Sequence, residues 1–149
     1  MSYVDLHVHS NASDGTLSPE QVVRLAHEAG LSAIALTDHD TTAGVAGAAE
    51  AGAELGLEVV PGIEVSSSFR DHEIHILGLF VDTDSPSLQA ALKEFRHHRD
   101  QRNQEMLGRF DAHGIHLTAE DLCAGNPDTV ITRAHVARAL LAKGLGPDL

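Results

Sequence analysis

The sequence predicts an α/β protein whose strands are mostly parallel. Over the first 62 residues, short apolar runs alternate with segments of helical periodicity, which is the order that builds β-α-β units. Polar side chains gather just after the apolar runs, at the strand ends where a parallel sheet collects its ligands. Because a chain of 149 residues buries a single core, we expect one domain with at most a small appendage.

The first β-α-β unit begins with the apolar run Tyr3 to Val8. Ser18 at the N-cap and Pro19 at the first helical position predict a helix that ends at Gly30. The apolar run Ser32 to Thr37 follows as the second strand. The apolar residues of the helix repeat at helical spacing, so we expect one face of it to pack on the sheet.

The second unit adds an alanine-rich helix and a third strand. We expect the helix from about Ala43 to Leu55 and the strand from Glu58 to Val60. Pro61 and Gly62 follow directly and predict the end of that strand.

The rhythm of the chain then changes. Val65 to Phe69 and Ile74 to Val81 are extended segments too close together for a crossover helix, so they predict a hairpin. A long helix is expected from Pro86 to about Ala112, and its polar middle, Arg96 to Gln104, predicts a solvated stretch or a bridge to a small lobe. Two short helices complete this helical appendage, at Thr118 to Cys123 and Arg133 to Lys143.

Composition and charge narrow the classes of function. The 22 acidic and 10 basic residues give a formal charge of −12, which disfavours long nucleic acids and anionic membranes as partners but leaves a small phosphorylated substrate open. The single cysteine, Cys123, excludes an intrachain disulfide. No apolar run approaches the roughly 20 residues that span a bilayer, so we expect a cytoplasmic protein with no membrane association.

The polar residues at the strand ends have the chemistry of metal ligands. His7 and His9 are two apart on the first strand, so their side chains leave the same face. On that pair alone, a metal site and hydrogen-bonded core histidines stay equally open. Imidazoles and carboxylates without thiolates suit manganese, iron or zinc in a hydrolytic site, and the chain places such residues in order: His7, His9, Asp14, His39, Glu64 and His75.

Four motifs resemble the N-terminal half of the PHP family, named for polymerase and histidinol phosphatase. They are DLHVHSNASDGTLSP, LTDHDT, PGIEVS and IHILGLF, and they cover roughly the first 82 residues. The later stretch TRAHVAR is similar to a bacterial subgroup of nucleoside monophosphate and 3',5'-nucleotide bisphosphate phosphatases. The resemblance implies a distorted, TIM-like seven-stranded β/α barrel, with its N-terminal part in residues 1–85 and a helical insertion in residues 86–149.

The resemblance also implies a set of ligands for up to three divalent ions. His7, His9 and Glu64 would bind one ion, Glu64 would bridge to a second ion held by His75, and Asp14 and His39 would bind a third. Asp5 lies on the face of His7 and His9, where it is expected to orient an imidazole.

The implied activity is a metal-dependent phosphoesterase acting on a small phosphorylated substrate, such as AMP or a 3',5'-bisphosphonucleotide. A metal-bridging hydroxide would attack phosphorus, and His39 or Asp40 would assist proton transfer. Arg133 and His135 are candidates for contacting the substrate phosphate. Solvated side chains at a helix N-terminus explain these last two residues equally well.

The resemblance to the PHP family does not extend beyond the helical insertion. A histidine on a later strand and an Asp-x-His near the C-terminus, both family ligands, have no counterpart here. We therefore expect a fragment of a longer enzyme, or a site completed by a partner or a second copy of the chain. The alternatives are a histidinol phosphatase or exonuclease of the same family, and a non-catalytic metal-binding or scaffold domain.

Overall fold

Four strands form one sheet in the order β1-β2-β3-β4. The structure, a computed structural model, describes residues 3–70, 72–123 and 125–146. Strands β1 and β2 pair in parallel, as do β2 and β3, while β3 and β4 pair antiparallel. The predicted α/β class, the parallel pairs and the hairpin are all confirmed. The strands are β1 (Tyr3–Val8), β2 (Leu31–Leu36), β3 (Glu58–Phe69) and β4 (His72–Leu79).

The helices lie close to their predicted positions. Ser18 caps the first helix through a capping box with Gln21, and Pro19 is its first residue, as the sequence predicts. The second helix begins two residues later than expected, at Val45, after Gly44, which provides no side-chain cap. The helices are α1 (Pro19–Glu28), α2 (Val45–Leu55), α3 (Pro86–Ala112), α4 (Ala119–Cys123) and α5 (Arg133–Ala142).

Strand β3 does not end at Pro61 and Gly62, so the predicted break there is wrong. It runs unbroken from Glu58 to Phe69 and changes its partner at this point. Up to Pro61 it pairs with β2, and from Gly62 onward it pairs with β4. Proline is tolerated because it is the last residue of the first ladder, where its missing N–H removes no bond from the second. Glu64 consequently lies within a strand and not after one.

The main core lies between the sheet and the first two helices. Val23, Ile34, Leu36 and Ala48 are fully buried there. A second, smaller cluster joins α4 and α5 to the end of α3, with Leu122, Val136 and Ala139 at its centre. Within the described residues, no helix has both the length and the apolar character needed to cross a membrane.

The middle of α3 is not uniformly solvated, although a solvated stretch was one of the two expectations from its polar sequence, and its buried side chains contact other parts of the chain. Arg99 and Asn103 are buried, with 7% and 5% of their surface exposed. Arg99 reaches Asp40, and Asn103 donates a hydrogen bond to the carbonyl oxygen of Ile131 at 3.2 Å. Long polar side chains bury along a helix when partners satisfy them, so this face of α3 is a contact surface. The division at residue 85 stays a prediction.

Candidate metal centre

The six side chains predicted as metal ligands meet in one cluster. Three overlapping groups of three residues each bring their ligand atoms within 4.8 Å of one another. His9, His39 and Glu64 each belong to two of these groups, so the groups form a continuous site. The groups are His7, His9 and Glu64; His9, Asp14 and His39; and His39, Glu64 and His75.

Backbone pairing beyond β2 brings His39 beside Glu64. An isolated parallel bridge joins these two residues. The amide of Glu64 donates to the carbonyl of Asp38 at 3.1 Å, and the amide of Asp40 donates to the carbonyl of Glu64 at 3.0 Å. The loop after β2 therefore continues the ladder for one step, which fixes the spacing of the two side chains.

Glu64 is the centre of the cluster. Its Oε2 lies 2.8 Å from His7 Nε2 and 3.0 Å from His9 Nε2, and its Oε1 lies 2.6 Å from His75 Nδ1. Burial alone would raise the pKa of Glu64, but the hydrogen bond from His7 and the charge of His39 outweigh it, so the pKa is lowered. The carboxylate is thus ionised and surrounded by imidazoles.

Asp14 supplies the second carboxylate. Its Oδ2 lies 3.3 Å from His39 Nε2, and its Oδ1 lies 3.3 Å from His9 Nδ1. Burial opposes ionisation, yet the hydrogen bond from His39 and the charges of both imidazoles lower the pKa of Asp14 to about 2. Asp14 is therefore available as an anionic ligand across the neutral pH range.

The donors present fit divalent metal ions. Among the described residues, the buried Nδ1 of His39 has no hydrogen-bond partner, and the nearby Oε2 of Glu64 is 3.8 Å away. A buried ring nitrogen without a partner is costly, and a cation would satisfy it. Burial also lowers the pKa of His9, which favours the neutral imidazole that binds metals. The ligand role of each residue stays a prediction.

Asp40, predicted to assist proton transfer, lies outside this cluster. Its Oδ2 accepts from Nε and Nη2 of Arg99 at 3.1 and 2.5 Å, and its Oδ1 accepts from the amide of Ser66 at 2.9 Å. The residue is 1% exposed and has a φ of 51°. Both oxygens are already hydrogen-bonded, and this geometry favours a structural role.

The two residues predicted to contact substrate phosphate have different surroundings. Arg133 is largely exposed, pairs with Glu73 and lines a cavity of about 130 Å³ beside His39 and His75. His135 is buried, and its Nδ1 accepts from the amide of Thr132 at 3.0 Å, so it caps helix α5. Burial lowers the pKa of His135. Arg133 faces the cavity, whereas the ring nitrogens of His135 bond to neighbouring loop residues.

The sequence prediction assigned no role to two further groups around the cluster, Asp38 and Arg99. Asp38 accepts three hydrogen bonds from Ser10 and Ser13 in the loop after β1. Asp5, expected to orient an imidazole, instead accepts from the amide of His7 at 3.1 Å. Arg99 pairs with Asp40. No local signal in the sequence marks the burial of Arg99, because the helix around it is almost wholly polar.

Comparisons with known proteins place these features in a family. The family model described as PHP domain matches residues 5–143. The chain is 40% identical over 151 residues to a 3',5'-nucleoside bisphosphate phosphatase of Chromobacterium violaceum, covering 100% of this chain and 53% of that protein. It is also 40% identical over 140 residues to a 5'-3' exoribonuclease of Haemophilus influenzae, covering 94% of this chain and 51% of that protein.

A solved structure agrees with the sequence comparisons. A protein of Bifidobacterium adolescentis described as a metal-dependent phosphoesterase superposes with a TM-score of 0.89 at 33% identity, over 97% of this chain and 51% of that one. The chain thus spans about half the length of the relatives it matches. The four-stranded sheet corresponds to part of their barrel-like fold, and the chain belongs to the PHP-domain family.

Proposed function

We propose that this chain carries the metal centre of a phosphoesterase that hydrolyses a small phosphorylated substrate, with a nucleotide as the first candidate. The observation that carries the proposal is the cluster around Glu64, where four imidazoles and a second carboxylate converge within metal-binding distances. The relatives named as a bisphosphate phosphatase and an exoribonuclease support a phosphoester substrate.

The six clustered residues would hold the ions. Glu64 offers both oxygens, one toward His7 and His9 and the other toward His75, which suits a bridging ligand. Manganese, iron or zinc ions bound there would supply Lewis-acid charge and an activated water for attack on phosphorus. We propose up to three ions, following the three overlapping groups.

Cationic side chains of the chain would receive the phosphate. Arg99, Arg102 and Arg133 line the cavity beside the cluster. Arg99 is engaged by Asp40, and Arg133 by Glu73, so an entering phosphate would compete with Glu73 for Arg133. A guanidinium group can donate two parallel hydrogen bonds to the oxygens of one phosphate group. We propose that Arg133 and Arg102 make this contact.

Proton transfer requires a group that faces the cavity. His39 lines it, but Asp40 does not. We therefore propose His39 for this role and a structural role for Asp40, whose oxygens bond to Arg99 and Ser66. For His135 we propose helix capping in place of phosphate contact.

Metal analysis combined with a substrate panel tests the function. The full chain, loaded with Mn²⁺, is assayed against a 3',5'-bisphosphonucleotide, AMP, histidinol phosphate and a short 5'-phosphorylated RNA. We expect two or three bound ions and release of phosphate or nucleotide. His9→Ala should abolish both metal binding and turnover, and the control His27→Ala, on the exposed face of α1, should change neither.

The substrates of the panel distinguish the alternative functions. Turnover of the RNA alone would favour an exonuclease, and turnover of histidinol phosphate alone a histidinol phosphatase. At most one ion per chain, with no turnover of any substrate, would contradict the proposal and support a non-catalytic metal-binding domain.

A further inference from the structure

The hydroxyl of Ser13 connects a buried carboxylate to one of the clustered imidazoles. Its Oγ lies 2.6 Å from Oδ1 of Asp38 and 3.3 Å from Nδ1 of His9. Ser13 has no exposed surface, and Asp38 is only 2% exposed. Because neither group is open to solvent, the hydrogen bonds between them decide where the protons lie.

Counting protons fixes the direction of this chain of hydrogen bonds. A carboxylate only accepts, and a serine hydroxyl has a single proton to donate. Asp38 also accepts from the amide and the hydroxyl of Ser10, at 2.8 and 2.6 Å, so all its contacts are to donors. Ser13 must therefore donate to Asp38, and toward His9 it can only accept. The proton between Ser13 and His9 then belongs to Nδ1 of the imidazole.

The other ring nitrogen of His9, Nε2, then carries no proton in the neutral imidazole. Nε2 is left with its lone pair and lies 3.0 Å from Oε2 of Glu64, in the group that includes His7. A lone pair and a carboxylate oxygen are both acceptors, so Glu64 opposes this tautomer in the metal-free protein, whereas a cation between the two atoms favours it. His9 also belongs to the group formed with Asp14 and His39, which its Nδ1 faces. We propose that Asp38, acting through Ser13, fixes His9 as the Nδ1–H tautomer and so assigns its Nε2 to the ion shared with His7 and Glu64.

Asp38 and Ser13 are thus positioning residues, which act on metal binding through His9. Partners of this kind fix the tautomer and orientation of ligating histidines, and their loss typically costs about 10- to 100-fold in metal affinity. This inference rests on the proposed metal centre, but its primary test requires neither metal nor substrate.

The same site contains a second group that could select the tautomer, Asp14, and a matched control residue, Ser10. Oδ1 of Asp14 is also 3.3 Å from Nδ1 of His9, so Asp14 could select the same tautomer without Ser13. Ser10 provides the matched control, because it is equally buried and donates to Asp38 at the same 2.6 Å. Among the described residues, its side chain bonds to no imidazole.

Nitrogen NMR of the metal-free, ¹⁵N-labelled full chain at pH 8 reads the tautomer directly, with His9 assigned from its loss in His9→Gln. We expect Nδ1–H in the wild type and in Ser10→Ala, and a mixture with Nε2–H in Ser13→Ala. Mn²⁺ titration should show affinity about tenfold lower in Ser13→Ala than in Ser10→Ala.

Three results would overturn the proposal. The first is a wild-type His9 that carries its proton on Nε2, which decides the question even if no variant folds. The second is a Ser13→Ala protein that keeps the wild-type tautomer while Asp14→Asn loses it, because Asp14 would then be the selecting group. The third is an equal effect of Ser10→Ala and Ser13→Ala on the tautomer, which would indicate a general disturbance of the loop.

Discussion

Replacing Arg99 by methionine removes the charge that pairs with Asp40 while keeping a long side chain at the position. The guanidinium donates twice to Oδ2 of Asp40 and once more to the hydroxyl of Ser66. Asp40 also accepts, through its backbone oxygen, from Nη1 of Arg96 at 3.2 Å. These contacts attach α3 to the loop that carries His39.

The expected cost follows from the burial of both partners. Asp40 is 1% exposed and Arg99 is 7% exposed, so Arg99→Met leaves the buried side chain of Asp40 with a single remaining donor, the amide of Ser66. Breaking a buried ion pair from one side costs about 3–5 kcal/mol. That is a large share of the roughly 5–15 kcal/mol that stabilises a domain.

Urea unfolding followed by circular dichroism measures this difference. The matched control is Arg102→Met on the same helix, because its side chain is 43% exposed and lies 4.0 Å from Glu73. That change should cost less than about 1 kcal/mol. Adding Asp40→Asn to Arg99→Met should recover part of the loss, since the charge disappears and asparagine tolerates the φ of 51°.

Equal free energies of unfolding for Arg99→Met and Arg102→Met would refute the reasoning. So would a double variant less stable than Arg99→Met alone, because the unpaired carboxylate would then not be the source of the cost. We also expect Arg99→Met to weaken Mn²⁺ binding, since the amide of Asp40 bonds to the carbonyl of Glu64.

Two further predictions concern the stability of the fold. Burial lowers the pKa of His135 in the folded chain below its unfolded value of 6.5. Its contribution to stability is therefore fully present above pH 6.5 and is lost as the pH falls from there through the lower folded-state pKa. The stability of the wild type relative to His135→Gln, which keeps the cap on Thr132, should fall between pH 8 and pH 5.5, and a constant difference would contradict this. A Cβ on Gly62 would lie 2.9 Å from the carbonyl oxygen of Leu36. Gly62→Ala should therefore lower the free energy of unfolding by about 1–3 kcal/mol, measured by thermal unfolding. The control Gly108→Ala, with open space around it, should instead stabilise α3 by up to about 1 kcal/mol.

The elements that local chemistry determines were predictable from the sequence. Helix α1 begins at Pro19 because Ser18 and Gln21 form a capping box. A serine followed three residues later by glutamine predicts such a helix start from the sequence. Strand β3 was predicted too short because Pro61 and Gly62 break most strands. Here they mark a change of partner from β2 to β4, which depends on tertiary pairing and has no local signal.

The same distinction separates the ligands from their supports. The carboxyl ends of neighbouring parallel strands meet at one edge of such a sheet, so His9 after β1 and His39 after β2 could be expected to lie close together from the sequence. Arg99 lies 59 residues from Asp40 in the chain, and their contact depends on how α3 docks. A polar helix face gives no indication of which of its side chains a distant carboxylate will bury.

The three residues Asp38, His39 and Asp40 show how one short segment organises the cluster. Asp38 is satisfied by serines of the loop after β1, and Asp40 by Arg99 of α3. Between them His39 faces Asp14 and Glu64. Because each flanking carboxylate has its own donors, neither competes for the imidazoles, and the carboxylates that pair with the four histidines are Asp14, Glu64 and Glu73. The segment therefore fixes two loops in place and keeps Asp38 and Asp40 out of direct contact with the imidazoles.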